Sequence, residues 1–114
     1  MKPSPSTTLA TLIAAAAVSF AGNALALDPL HAKSGCTGCH KEDKKLVGPS
    51  YIDVAEKYRA DYKKDAKATT AKIVKKVTEG GAGVWGPVPM SPNSHLAAAD
   101  IEKMVKEILE TTKK

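Results

Sequence analysis

Aromatic side chains are scarce in this sequence: its 114 residues include one phenylalanine, one tryptophan and three tyrosines. Phe20 lies in an apolar N-terminal run, so only Tyr51, Tyr58, Tyr62 and Trp85 can give bulk to a folded interior. That is thin for so small a domain, because short chains bury only about 60–65% of the surface their unfolded form exposes. An apolar cofactor would complete such an interior. Alternating strand patterns are missing along the whole chain, which excludes a sheet-based fold. Also missing is a dense basic patch with interleaved aromatics: the 17 Lys and Arg are dispersed among 12 acids, which excludes a nucleic-acid binder. There are no internal repeats, and cysteine occurs only at positions 36 and 39.

Charge is absent over one long stretch, since Lys2 is the only charged residue before Asp28. An alanine-rich apolar run over residues 9–22 leads into Ala24-Leu25-Ala26, the small-x-small pattern accepted by signal peptidase. The expectation is a signal peptide over 1–26, cleaved after Ala26, and a mature domain over 27–114 exported to the periplasm. An uncleaved anchor is the alternative, but Pro3, Pro5 and the Ser/Thr cluster dilute its start and leave the strongly apolar part short. Loss of residues 1–26 removes Lys2 and no acid, so the formal net charge drops from +5 to +4.

What the mature segment does contain is helical periodicity, and the expected class is all-α with about four short helices. Asp28-Pro29 reads as an N-cap followed by proline at the first helical position, and Gly35 stops that helix within two turns. Ser50 caps a second helix with Asp53 three positions on, and Tyr51, Val54, Ala55 and Tyr58 share one face. Thr70, Ile73, Val74 and Val77 repeat that spacing in a third helix, which carries Lys67, Lys72, Lys75 and Lys76 on its other faces and ends at Gly80-Gly81. Ile101, Met104, Val105, Ile108 and Leu109 form the stripe of the last helix, with Glu102 and Lys106 paired outside it. Met104 lies inside that stripe and reads as core. Residues 80–93 form a connection with four glycines, three prolines, Trp85 and Met90, and long connections in small domains usually carry function.

Cys36-Thr37-Gly38-Cys39-His40 has the C-x-x-C-H spacing of c-type haem attachment. Each thiol can add to one vinyl group, two intervening residues match the vinyl separation in a tight turn, and the histidine is carried under the iron. Other readings fit less well. A disulfide leaves the adjacent histidine without a role. A thioredoxin-like dithiol needs the strands of a βαβ unit. Zinc held by Cys36, Cys39, His31 and His95 follows no familiar ligand spacing. With two cysteines, one haem is expected. Met90 sits between Pro89 and Ser91-Pro92, outside any apolar stripe, where stiff backbone can fix a thioether.

Taken together, Cys36 through His40, then Val47-Gly48-Pro49, then Gly83-Val84-Trp85-Gly86-Pro87-Val88-Pro89-Met90 with Pro92-Asn93, closely resemble the short bacterial class I cytochromes c of the five-five-one and five-five-two type. The resemblance spans essentially residues 28–112. It implies His40 and Met90 as axial iron ligands, Cys36 and Cys39 as thioether attachments, and the Pro49 carbonyl as partner of the second His40 nitrogen. It further implies that Trp85 donates to a haem propionate and that Asn93 helps hold the Met90 loop. Relatives tend to pack an aromatic on the first helix against one on the last; this chain has His31 and Glu107 there, either hydrogen-bonded to each other or both exposed.

The implied function is soluble, non-enzymatic shuttling of single electrons between respiratory redox proteins by a monomer, a terminal oxidase or nitrite reductase being suitable acceptors. Lys33, Lys41, Lys44 and Lys45 around the haem-binding segment could steer acidic docking surfaces. The rival is a haem enzyme or gas sensor, peroxidase-like, with a labile distal ligand, for which His95 could replace Met90.

Overall fold

The computed structural model describes Pro3 and residues 27–111, so the leader expected over 1–26 lies, but for Pro3, outside the described residues. Four α-helices are found there: α1 Leu30–Lys33, α2 Tyr51–Lys64, α3 Ala66–Glu79 and α4 Ala98–Glu110, with one 3-10 turn, Cys36–Gly38. Extended pairing among the described residues is confined to a single antiparallel bridge between Gly81 and Met90. The all-helical expectation holds.

Local chemistry explains where each helix starts and stops. α1 starts one residue later than expected, with Pro29 and not Asp28 as the residue flanking it and no side-chain cap from that residue. Asp28 Oδ1, one position further back, accepts the Leu30 N–H at 2.8 Å, and Gly35 at φ 81° turns the chain out of the helix. Ser50, extended at φ −64° and ψ 154°, accepts the Asp53 N–H on its hydroxyl at 3.0 Å; a cap of this kind contributes about 1 kcal/mol. One residue separates α2 from α3. Asp65 ends the first in an extended conformation and caps the second, its carboxylate accepting the Ala68 N–H at 2.9 Å. Gly80, at φ 67° and ψ −147°, then ends α3 in a conformation open essentially to glycine alone.

The apolar stripes meet in one cluster of Tyr58, Ile73, Ile101, Val105 and Leu109, with Val54, Tyr62, Val74, Val77 and Leu96 packed against it. α4 lies against both α2 and α3, while α1 rests on α4. Each fully buried aliphatic or aromatic residue contributes about 1.5–3 kcal/mol, so α4, with Ile101, Met104, Val105 and Leu109 all buried, is the principal organiser of the domain. The start of the domain is pinned to it. Asp28 donates its N–H to Glu107 Oε1 at 2.8 Å and pairs through Oδ2 with Lys103 at 2.7 Å. The expected Glu102–Lys106 pair forms at 2.9 Å, with both side chains more than half exposed, so solvent screening leaves it little to add to stability.

Candidate functional site

A cavity of about 710 Å³ opens between the segment after α1, the faces of α2 and α4, and the 80–93 connection. It gathers Cys36, Cys39, His40, Pro49, Trp85, Met90 and Asn93, all seven residues singled out from the sequence, although they lie up to 57 positions apart. Its walls are largely apolar, with Val54, Ile73, Ile101 and Ile108 from the helices. Leu46, Val47, Val84 and Val88, the exposed large aliphatic side chains among the described residues, line it too.

The 3-10 turn closes on itself through the Cys39 and His40 N–H groups, both donating to the Cys36 carbonyl at 3.1 and 3.0 Å. Two small residues between the cysteines allow this turn, and it brings both sulfurs to the cavity. The thiols are free rather than bridged, Cys36 half-buried and Cys39 exposed. Burial pushes the Cys36 thiol up, the reverse of the lowered value that a reactive dithiol needs. Among the described residues no three His, Cys, Asp or Glu side chains converge on a metal position, which leaves the zinc reading without a ligand set.

His40 is held in one tautomer. Its Nδ1 lies 2.8 Å from the Pro49 carbonyl, which can only accept, so Nδ1 carries the proton and Nε2 keeps its lone pair. Tyr51 stacks on the imidazole with centroids 5.6 Å apart and planes 20° from parallel. Gly48 closes the third side: a Cβ there would run into the ring, 2.8 Å from Nδ1 and 3.1 Å from Nε2. The backbone at Gly48 is fixed by its own N–H, which donates to the Cys39 carbonyl at 2.8 Å.

Met90 sits on a loop tied to the end of α3. Its N–H donates to the Gly81 carbonyl at 3.0 Å and its carbonyl accepts the Gly81 N–H at 2.9 Å. Asn93 secures the same loop, its Nδ2 donating to the carbonyls of Val77 and Ser91, each at 3.1 Å, and its backbone N–H to Thr78 at 3.0 Å. Trp85 is 41% exposed at the cavity edge, with Lys57 Nζ 5.4 Å from its ring centroid. His95 is exposed before α4 and does not line the cavity, whereas Met104 is buried in the α4 stripe and also forms part of the cavity wall. Lys76 is less solvated than its place among the outer lysines suggested, since it reaches back to the Gly80 carbonyl at 3.2 Å.

His31 and Glu107 do approach, but not in the expected form. His31 is 1% exposed, which rules out two solvated side chains, and its Nε2 stands 3.6 Å from Glu107 Oε2, beyond hydrogen-bond length. Its hydrogen bond instead joins Nδ1 to the Tyr51 hydroxyl at 3.1 Å. Tyr51 therefore touches both histidines. Burial pushes its phenol up, so it stays protonated. Nothing in the sequence marks this role, because the three rings are 11 and 20 positions apart and come together only in the tertiary fold.

A single-tautomer imidazole, two thiols on one turn, a loop-held thioether and apolar walls define a small helical protein built around a flat, thiol-attached cofactor. A family model described as Cytochrome c matches residues 28–111. The chain is 50% identical over 93 residues to the cytochrome c-551 of Allochromatium vinosum, covering 82% of this chain and 94% of the relative. It is 42% identical over 96 residues to the cytochrome c-552 of Nitrosomonas europaea, covering 84% and 88%. The crystal structure of wild-type Nitrosomonas europaea cytochrome c552 superposes with a TM-score of 0.62 at 35% identity, covering 70% of this chain and 93% of that one. The chain belongs to the cytochrome c family, as a class I monohaem cytochrome c of the c-551/c-552 type. Its cofactor is a covalently attached c-type haem and its activity is electron transfer.

Proposed function

We propose that this protein is a periplasmic single-electron carrier in which His40 Nε2 and Met90 Sδ are the axial iron ligands and Cys36 and Cys39 form the thioethers. The observation that carries this reading is the 2.8 Å hydrogen bond from His40 Nδ1 to the Pro49 carbonyl, which leaves Nε2 free to bind a metal within an apolar cavity that Met90 also lines. When bound, the haem supplies a one-electron ferric/ferrous couple. The protein's residues set its properties. The Pro49 carbonyl fixes the His40 ring and raises its basicity. Met90 offers a soft thioether, which favours ferrous iron relative to a second histidine, and Asn93 with Gly81 keeps that thioether in place. Trp85, at the cavity edge, would offer its indole N–H to a propionate of the bound haem.

With His40 and Met90 both engaged no position is left for a substrate, and the protein is a carrier rather than an enzyme or gas sensor. Residues 1–26 act as the export signal, cleaved after Ala26. Among the described residues no helix is long and apolar enough to cross a membrane. The partners are respiratory redox proteins with acidic docking surfaces, approached by a monomer; Lys33, Lys41, Lys44 and Lys45 are all exposed around the attachment segment. The deciding experiment is intact mass spectrometry and absorption spectroscopy of the natively exported protein, with carbon monoxide added to the reduced form at neutral pH. One haem in thioether linkage, a methionine-to-iron band and no prompt carbon monoxide binding are expected. Bare thiols would end the haem assignment, and prompt binding would favour the enzyme or sensor.

A further inference from the structure

The buried polar cluster beside His40 has no part in that account. His31 is 1% exposed, lines the cavity, and has an Nε2 with no hydrogen-bond partner. A buried imidazole in that state is costly unless it serves something. We propose that His31, paired with Glu107, takes up a proton when the cytochrome is reduced, so that its reduction potential is linked to pH through this pair. The inference rests on the ligand assignment proposed above.

The groups around the ring make this specific. From α2 comes the Tyr51 hydroxyl, 3.1 Å from Nδ1, and from α4 the Glu107 carboxylate, 3.6 Å from Nε2. Lys103, also on α4, is spent on Asp28 at 2.7 Å, so their charges offset each other. The Cys36 thiol, further along from α1, becomes a neutral thioether. Among the described residues Glu107 then presents the charge that stands nearest His31 Nε2, at 3.6 Å. A neutral imidazole is best placed with its proton on Nε2, toward that carboxylate, and Nδ1 accepting from Tyr51. Nδ1 is thus the vacant site. On reduction, one electron arrives from the redox donor and one proton from solvent binds Nδ1, the Tyr51 hydroxyl turning from donor to acceptor. The imidazolium formed is neutralised by Glu107, which at 30% exposed reaches solvent.

Coupling to the metal side runs through Tyr51, whose ring lies 5.2 Å from His31 and 5.6 Å from His40, centroid to centroid. All three rings face one cavity of low polarity, where an added electron is weakly screened and favours a proton nearby. The absence of an aromatic pair at positions 31 and 107 is what creates the site in this chain.

The test is a spectroelectrochemical titration of the holoprotein over roughly pH 5–8, the range in which histidine ordinarily titrates, together with NMR titration of the His31 ring in each redox state. Proton binding by His31 about tenfold tighter in the reduced state is expected, equal to a fall of ~59 mV in potential across the transition. His31→Phe abolishes that fall, and Glu107→Gln reduces it while keeping the ring. A flat potential in the unaltered protein, identical His31 titrations in both states, or a fall retained in His31→Phe would each overturn the proposal. The NMR titration needs no variant, so a His31→Phe protein that fails to fold leaves the question decidable. Absence of the methionine-to-iron band before titration would refute the ligand assignment instead.

Discussion

Replacing Gly48 by alanine adds one methyl group at the place where the protein grips its imidazole. The backbone cannot slide to make room, because Gly48 donates to Cys39 at 2.8 Å and accepts from Leu46 at 3.1 Å. Its φ is not in the left-handed region, so the penalty is steric and not conformational. The new Cβ collides with the His40 ring, 2.8 Å from Nδ1. If the ring turns, the bond to Pro49 is lost, at about 1 kcal/mol; if the chain gives way, overpacking costs about 1–3 kcal/mol. A loss of about 1–3 kcal/mol is therefore expected. Urea unfolding of the holoprotein measures it, and a weakened methionine-to-iron band should accompany it as the imidazole tilts. A change within about 0.5 kcal/mol, the range of inert surface substitutions, with an unaltered spectrum would refute the idea that Gly48 is a wall of the site.

Two further predictions concern the other end of the site and the N-terminal anchor. Gly80→Ala should cost about 1–3 kcal/mol from backbone strain at φ 67°, and its Cβ would also meet the Met90 carbonyl and lie 2.9 Å from Pro92 N. The methionine-to-iron band should fade while a thermal melt shifts down; a retained band and melting temperature would contradict the loop's dependence on this turn. Lys103, hydrogen-bonded to Asp28, holds that carboxyl below its usual value of 3.8. Because the folded value is the lower one, the pair's contribution is complete above 3.8 and is lost as pH falls through the folded value. Lys103→Met should therefore be less stable than the parent at about pH 6, with the difference vanishing in acid. Denaturant titrations at stepped pH check this, and a difference that persists to strong acid would count against it.

Much of the fold was readable residue by residue because helices are local objects. The Ser50 cap, the stop at Gly80-Gly81 and the stripe from Ile101 to Leu109 depend on chemistry within a few positions, and each appears where the spacing placed it. The single-residue junction at Asp65 carries no comparable local mark, since one residue there both ends α2 and caps α3. The turn of the Cys36–His40 pentapeptide was equally legible, because its geometry is contained in a few consecutive residues.

What the chain order alone determined, then, was the set of chemical groups and the local turns that present them: two thiols, an imidazole, and a thioether between prolines. Tertiary packing decided everything that depends on distance across the chain. It turned His31 inward, gave its hydrogen bond to Tyr51 and not to Glu107, and set Tyr51 against His40. The reason is physical: a covalent chain fixes neighbours over a few residues, whereas the partner of a buried polar atom is chosen by which helix faces close over it.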